Sequence, residues 1–214
     1  MSTIECARLQ VSDVDEIIRL LAKTFSASEP PAVAMGLTFN DFEQFVDLLC
    51  PPAVAGELTI VARDFETRQI AGVMLTDDFA VPPDLKPSQF SEKFLPILAM
   101  LDSLDEQYRQ GRSIVPGQYL HLFMLAVDEQ FAGRGIATQL VSACLENGRQ
   151  KGYTHAVTEA TGVISQHVFR KLGFVERDRI SYQDYRYKGK PVFASIRDHE
   201  AAILMDRTIT GEIS

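Results

Sequence analysis

The sequence predicts a single mixed α/β domain, and three observations support this prediction. A length of 214 residues suits one domain, and hydrophobic and charged fractions of 46% and 23% are ordinary for a globular protein. Segments with the periodicity of strands alternate with segments that have the periodicity of helices. The sequence has no internal repeat, low-complexity tract or linker. We therefore expect one domain over residues 1–214, with a core over about residues 3–208.

The N-terminal part is predicted to form a strand, two helices and a hairpin. Weak alternation indicates the strand, apolar residues at helical spacing indicate the helices, and a polar turn joins the hairpin. The proline pairs Pro30-Pro31 and Pro51-Pro52 are expected to end the helices, because proline cannot donate the backbone hydrogen bond of a helix interior. The predicted ranges are 4–9 for the strand, 14–25 and 38–49 for the helices, and 58–64 and 69–76 for the hairpin.

The C-terminal part is predicted to alternate strands with helices. The segment 77–118 is interpreted as a helical insertion, with an amphipathic helix over about 90–110. A long segment beside a functional strand is a candidate wall of a substrate pocket, and it could equally cover one face of the sheet. The other predicted elements are a strand that ends at Val127, a helix that begins near Ile136, a strand over 153–158, a helix over 165–172, and strands over 174–182 and 202–208.

Composition argues against several functional classes. The formal net charge of -8 disfavours a nucleic-acid partner, because such binding depends on basic surface, and it would attract a cationic substrate. Cys6, Cys50 and Cys144 lack the number and spacing of a disulfide framework or a zinc site. No apolar run is long enough to span a bilayer, and the N-terminus lacks the features of a signal peptide. We therefore expect a soluble cytoplasmic protein with no membrane partner.

The stretch 120–137 carries the clearest functional signal. It begins as an apolar strand that ends at Val127, passes through Gly133 and Gly135, and continues as a helix. Such a turn leaves backbone N–H groups unpaired at the positive end of the helix dipole, which favours an anion such as a pyrophosphate. The stretch is neither a P-loop nor the glycine fingerprint of a dinucleotide-binding fold.

The motif Gln130-x-x-Gly133-x-Gly135, directly after a strand ending Leu125-Ala126-Val127, resembles the acetyl-CoA-binding motif of the GNAT superfamily of N-acetyltransferases. The resemblance implies a GNAT-like fold: a central mixed, mostly antiparallel twisted sheet flanked by helices. It also implies acetyl-CoA as cosubstrate and no metal, and a pantetheine arm that pairs with the backbone of Leu125, Ala126 and Val127. The other residues implied to bind the cofactor are Gln130, Ala132, Gly133, Arg134, Gly135, Ile136, Ala137 and Ser165.

The run 168–174 resembles the second motif of the family. Many relatives have a tyrosine where this sequence has Phe169, and that tyrosine is the usual proton donor to the leaving thiolate. Phenylalanine has no proton to give. Some other group must therefore act, or the thiolate takes its proton from solvent.

Additional segments resemble the insect arylalkylamine N-acetyltransferases, a group that includes the dopamine acetyltransferases. This resemblance implies that Glu29 is a general base acting through ordered water, and that Ser165 assists proton delivery. A second serine of that group falls near Thr161-Gly162, where the residue differs. The segments that carry the resemblance are 25–30 (FSASEP), 36–37 (GL), 182–185 (YQDY) and 189–193 (GKPVF).

Two residues compete for the role of base. Glu29 lies between an apolar helix and two prolines, where desolvation would raise its pKa toward the range useful to a base, although an exposed glutamate at a helix end is the alternative. His121 lies on the signature strand and has an imidazole of suitable pKa. A histidine near that place serves in the vertebrate serotonin acetyltransferases. Tyr182 and Tyr185 could donate a proton or line a pocket.

The leading hypothesis is an N-acetyltransferase that moves an acetyl group from acetyl-CoA directly to a primary amine of a small molecule, of arylalkylamine or polyamine type. One alternative is acetylation of a protein N-terminus or lysine, against which the long segment 77–118 argues mildly. An alternative of another class is a non-catalytic acetyl-CoA-binding regulatory protein, which Phe169 keeps open. The expected partner is the amine substrate, and a homodimer is left open.

Overall fold

The computed structural model describes residues 3–209, which form one seven-stranded sheet with helices on both faces. The strands are β1 (Ile4–Arg8), β2 (Ile60–Asp64), β3 (Ile70–Asp78), β4 (Tyr119–Val127), β5 (His155–Ala160), β6 (Val175–Ser181) and β7 (Ala201–Thr208). The helices are α1 (Val14–Ser28), α2 (Pro30–Met35), α3 (Phe39–Gly56), α4 (Leu95–Arg109), α5 (Ile136–Gln150) and α6 (Val163–Lys171).

The strand order is β1-β2-β3-β4-β5-β7-β6. The β4–β5 pair is parallel, and the other neighbours in the described sheet are antiparallel. The parallel pair is connected through α5, as a parallel connection requires a crossover. The mixed sheet with mostly antiparallel pairs agrees with the sequence prediction.

Two separate apolar cores lie on the two faces of the sheet. On one face the buried sides of α1, α3 and α4 pack together and against the strands, with Leu21, Phe45 and Met100 among the enclosed residues. On the other face α5 and α6 pack on the sheet through residues such as Leu140 and Phe169. As a consequence, α4 from the segment 77–118 packs on the same face of the sheet as α1, and Glu29 directly follows the last residue of α1.

The two proline pairs behave differently from the sequence prediction. Pro30 and Pro31 follow the end of α1 as expected, but they also begin a second short helix, because proline suits the first turn. The prediction that Pro51 and Pro52 end the next helix is wrong, since α3 continues to Gly56. Both prolines lie on the exposed side of α3, where solvent can satisfy the carbonyls that lose their helical donors.

β4 and β5 diverge near the centre of the sheet. They pair only over 119–121 and 155–157, and the Thr158 hydroxyl then donates to the Leu122 carbonyl at 2.8 Å. A register shift against β3 leaves Phe123 as an extra residue, and such a bulge bends the strand. The divergence opens a cleft in which the later part of β4 has no strand partner on the β5 side among residues 3–209.

Close packing of α5 on β3 gives a stability prediction at Gly72. A Cβ atom there would lie 2.8 Å from the Ala126 carbonyl oxygen and 3.0 Å from the Leu140 side chain. We expect Gly72→Ala to lower the free energy of unfolding by about 1–3 kcal/mol, because the backbone oxygen cannot easily move. Chemical denaturation measures the change. Gly56→Ala, where a Cβ meets nothing within 4 Å, is the control; equal stability of the two variants would contradict the prediction.

Candidate active site

A cavity of about 670 Å³ lies in the cleft between β4 and β5. One wall comes from β4 beyond the bulge, from the glycine turn and from the first turn of α5. The opposite wall comes from the end of β5 and the first turns of α6, and the end of α1 closes one side. Cavities of this volume hold small molecules and cofactors.

The glycine turn ends as an open N-terminus of α5. Gly133 and Gly135 have φ angles of 76° and 74°, which are left-handed values that favour glycine, and Gly135 is the N-cap residue. Gly135 offers no side-chain cap, so the N–H groups of the first turn of α5 are available to a ligand. Phe131 anchors the turn in the core, and Asp128 accepts a hydrogen bond from the Gln130 amide at 2.9 Å. The geometry suits an anion at the mouth of the cavity.

The predicted cofactor residues divide into two groups. Ala126 faces the apolar core on the α1 side, so that only its backbone could serve a ligand, and the side chains of Gln130 and Arg134 are exposed in the turn. The predicted residues that line the cavity are Leu125, Val127, Ala132, Gly133, Gly135, Ile136, Ala137 and Ser165.

Glu29 lies at the junction of α1 and α2 and lines the cavity. Its Oε2 accepts a hydrogen bond from the Ala32 amide at 2.6 Å, which caps α2 and fixes the side chain. Burial raises the pKa of Glu29 to about 7, although hydrogen bonds from the Thr161 hydroxyl and the Ala32 amide work in the opposite direction. The carboxyl group therefore changes charge near neutral pH, as a general base requires.

Ser165 and Phe169 lie on the same face of α6 and both line the cavity. The Ser165 hydroxyl donates to the Gly162 carbonyl at 2.9 Å, within the first turn of the helix. Phe169 is 2% exposed and packs against Phe174 with a centroid distance of 5.0 Å. Phe169, at the position of the family tyrosine, thus adds an apolar side chain to the cavity wall. Ser165, one turn earlier on α6, provides a hydroxyl on the same wall.

His121 lies behind the cavity wall instead of in it. Its Nδ1 is 2.9 Å from Asp77 Oδ1 and its Nε2 is 2.8 Å from Glu159 Oε2. Burial alone would lower the pKa of His121, but the charges of Glu159 and Asp77 outweigh this and raise it well above the usual value. A charged imidazole with both nitrogens engaged has no lone pair for a substrate proton. The structure brings Glu29 and Ser165 to the cavity and gives His121 an internal position.

A smaller apolar pocket of about 60 Å³ adjoins the main cavity. The two share Glu29, Glu159 and Thr161, so polar groups stand only at the junction. α4 forms part of its wall, which is the placement predicted for the segment 77–118. The apolar lining residues are Phe25, Phe42, Phe45, Phe94, Ile97, Leu98, Leu101, Phe123 and Met124.

The cavity residues that were not predicted as site residues from the sequence include Glu159, His199 and Thr161. Glu159 lines both spaces, and its only signal is a charged residue in an otherwise apolar strand pattern. His199 lines the main cavity and accepts the Val163 amide hydrogen at its Nδ1, at 3.2 Å. Thr161 reaches Glu29 with its hydroxyl, and its carbonyl accepts the hydroxyl of buried Tyr182 at 2.6 Å.

Residues 98–174 match the family model described as the acetyltransferase (GNAT) family. The match begins within α4, includes the glycine turn and α5, and ends just before β6, so it covers most of the cavity wall. The resemblance to the GNAT superfamily is confirmed. The prediction of a GNAT-family acyltransferase is confirmed at the level of the family.

Several solved structures align with nearly the whole chain. The C-terminal condensation domain of Ebony, in complex with β-alanyl-dopamine, has a TM-score of 0.89 at 20% identity and covers 97% of this chain and 100% of its own. Arylalkylamine N-acetyltransferase 2 from Aedes aegypti has a TM-score of 0.79 at 24% identity, with 97% and 100% coverage. The polyamine N-acetyltransferase of Drosophila melanogaster has a TM-score of 0.72 at 20% identity, with 96% and 100% coverage. These similarities establish the GNAT fold.

Two further properties concern residues 3–209, the part of the chain that the structure describes. No helix within residues 3–209 combines the length and apolar character needed to cross a bilayer. No group of three or more histidine, cysteine, aspartate and glutamate side chains in that range is arranged to hold a metal ion. The polar groups that line the cavity are backbone groups, carboxylates, hydroxyls and His199.

Proposed function

We propose that this protein transfers an acetyl group from acetyl-CoA to the primary amine of a small molecule, by direct transfer with Glu29 as the general base. The single observation that carries the proposal is that three features suited to acetyl transfer line one cleft. The cavity is lined by the glycine turn with the uncapped N-terminus of α5, by the unpaired edge of β4 and by a carboxyl group with a pKa of about 7. These features match the pyrophosphate, the pantetheine arm and the reacting amine in that order.

The proposed reaction balances in protons as follows. Glu29 accepts a proton from the substrate ammonium through an ordered water, and the free amine attacks the thioester carbonyl. The C–S bond breaks as the amide C–N bond forms, and the CoA thiolate leaves. The thiolate takes up the proton that the attacking nitrogen still has to lose. Ser165 is proposed to pass that proton, because it lines the cavity where Phe169 offers none.

The size and lining of the side pocket favour a small acceptor over a protein. The pocket is enclosed by five phenylalanines and by α4, and the only polar groups in its lining stand where it meets the main cavity. Such a lining suits an apolar group whose ammonium lies at the junction. Its volume of about 60 Å³ admits a short alkyl group, and a whole aromatic ring requires the lining side chains to move. The names of the structural relatives, an arylalkylamine and a polyamine acetyltransferase among them, point to small amines as well. The phenylalanines favour the arylalkylamine class.

Thiol release from acetyl-CoA tests the proposal directly. The panel is tyramine, dopamine, spermidine, an aminoglycoside and a peptide with a lysine and a free N-terminus. We expect the highest kcat/KM for the arylalkylamines and little turnover of the peptide. Because one structural relative is bound to a β-alanyl amide, β-alanyl-CoA serves as a second donor. Saturable acetyl-CoA binding without amine-dependent thiol release would favour the non-catalytic class, and peptide turnover alone would favour a protein acetyltransferase.

A further inference from the structure

Two carboxylates, Glu29 and Glu159, stand where the main cavity meets the side pocket, and both line both spaces. We propose that Glu159 is the amine-binding carboxylate of this site: it holds the ammonium group of the acceptor while Glu29 removes the proton. Asp77, His121 and Asp105 are the positioning residues that fix Glu159. This proposal rests on the function proposed above and names the recognition element for its cationic substrate.

The sheet itself sets the position of Glu159. Asp77 on β3 and His121 on β4 are register partners, and His121 pairs in turn with Val157 on β5, two residues before Glu159. The three polar side chains therefore lie on one face of three adjacent strands, at the point where β4 and β5 diverge. Hydrogen bonds of 2.9 Å and 2.8 Å connect them through the imidazole. The chain of contacts runs from a partly exposed Asp77 side chain (24%) to an enclosed Glu159 side chain (3%).

Asp105 completes the environment of Glu159 from α4. Asp105 Oδ1 and Glu159 Oε1 are both buried without a hydrogen-bond donor among the described residues, and the two carboxyl groups contact each other. Two ionised carboxylates cannot satisfy one another, whereas one added proton supplies the missing hydrogen bond. Burial, followed by repulsion from Glu159, raises the pKa of Asp105 to about 9, so the proton resides on Asp105. Asp105 is thus a neutral donor to Glu159.

Glu159 remains charged in this environment. Burial alone would raise its pKa, but the positive charge of His121 and the hydrogen bonds from His121 and Asp105 outweigh burial and lower it. His121 carries one positive charge between the carboxylates of Asp77 and Glu159, so these three groups together keep one negative charge. Asp102 and Arg109 on α4 also act on Glu159 and Asp105, with opposite charges that offset each other. Glu159, which carries part of the net charge, lines a pocket that is otherwise apolar on that side.

The two carboxylates at the junction are suited to different tasks. A carboxylate with a lowered pKa is a poor base and a permanent counterion, while one with a pKa of about 7 can accept a proton at neutral pH. An ammonium group entering a largely apolar pocket loses hydration and needs such a counterion. The aromatic side chains of Phe25 and Phe123, which line both spaces, are of a type that attracts cations. Glu159 therefore provides binding and Glu29 provides proton transfer.

Kinetics of Glu159→Gln test the assignment. The glutamine has nearly the same shape but no charge, so we expect KM for the best amine of the panel to rise at least about tenfold. We expect kcat and KM for acetyl-CoA to stay within about threefold, because the base is unchanged and glutamine keeps the shape of this part of the cavity wall. Glu29→Gln should have the opposite effect, with a large loss of kcat and little change in KM for the amine. Glu106→Gln, which removes a charge from the exposed side of α4, is the control for the overall charge of the protein.

A neutral ligand separates recognition of charge from a structural role. The alcohol with the same skeleton as the amine, such as tyrosol for tyramine, should inhibit wild type and Glu159→Gln with the same inhibition constant. Asp105→Leu, which removes the donor to Glu159, should weaken amine binding more than Asp105→Asn, which keeps a donor. An unchanged KM for the amine in Glu159→Gln, or equal weakening of amine and alcohol, would overturn the assignment while leaving the proposed function intact. If wild type turns over no amine, the proposed function and this assignment fail together.

Discussion

Glu29→Gln is expected to lower kcat by about one to two orders of magnitude, because a general base contributes an effect of that size or larger. The variant keeps a carbonyl oxygen that can accept the Ala32 amide hydrogen, so the cap of α2 and the shape of the cavity should be retained. Binding of acetyl-CoA should change little. Steady-state kinetics with the best amine of the panel, together with titration of acetyl-CoA binding, measure both quantities.

The pH dependence provides an independent test of the same residue. The base must be ionised, so kcat/KM of the wild type should rise with pH through about 7 and fall toward acid as Glu29 takes up a proton. The fall of kcat/KM below about pH 7 should disappear in Glu29→Gln. The rise at higher pH, which comes from the loss of a proton by the substrate ammonium, should remain. Retention of full turnover, or of the fall below about pH 7, would remove Glu29 from the mechanism.

Gly135→Leu is expected to abolish measurable binding of acetyl-CoA. Gly135 has a φ of 74° and caps the N-terminus of α5, where a pyrophosphate must approach the backbone closely. A side chain at this position would project from the turn that provides the N–H groups, and its left-handed backbone would cost about 1–2 kcal/mol. The binding isotherm of acetyl-CoA measures the effect.

Gly152→Leu is the matched control for backbone strain. Gly152 has a φ of 93° at the other end of α5, and a Cβ atom at either glycine meets nothing within 4 Å. Both variants should lose a similar amount of unfolding free energy, and only Gly135→Leu should lose the cofactor. Equal binding of acetyl-CoA by the two variants would show that the glycine turn does not hold the anion.

The sequence by itself determined the parts of this protein that depend on neighbours along the chain. The strand, glycine turn and helix around Gly133 and Gly135 form a local unit, and their periodicity and glycines indicate both the elements and the free N–H groups. Glu29 was singled out by the resemblance to the insect arylalkylamine N-acetyltransferases and by its position between an apolar helix and two prolines. Ser165 was implied by the same resemblance, and the short helix α6 carries it into the cavity wall.

Tertiary structure alone decided how far α3 continues past Pro51 and Pro52. Proline discourages a helix locally, and buried neighbours such as Cys50 and Ala53 hold the helix to the core on both sides of the pair. Packing energy of these contacts exceeds the loss of two helical hydrogen bonds whose acceptors face solvent. Local propensity could not reveal this balance.

Only the tertiary structure could separate the tasks of Glu29, Glu159 and His121. Residues 44 and 38 positions away along the chain supply the two hydrogen bonds of His121, and Asp105 reaches Glu159 from a helix of the segment 77–118. His121, for which the sequence suggests an ordinary imidazole pKa, is a charged internal residue in the fold. Glu159, a strand residue without a predicted role, becomes part of a pocket wall. Periodicity indicates which face a residue occupies. Its charge depends on burial and on partners that only the folded sheet brings within hydrogen-bond distance.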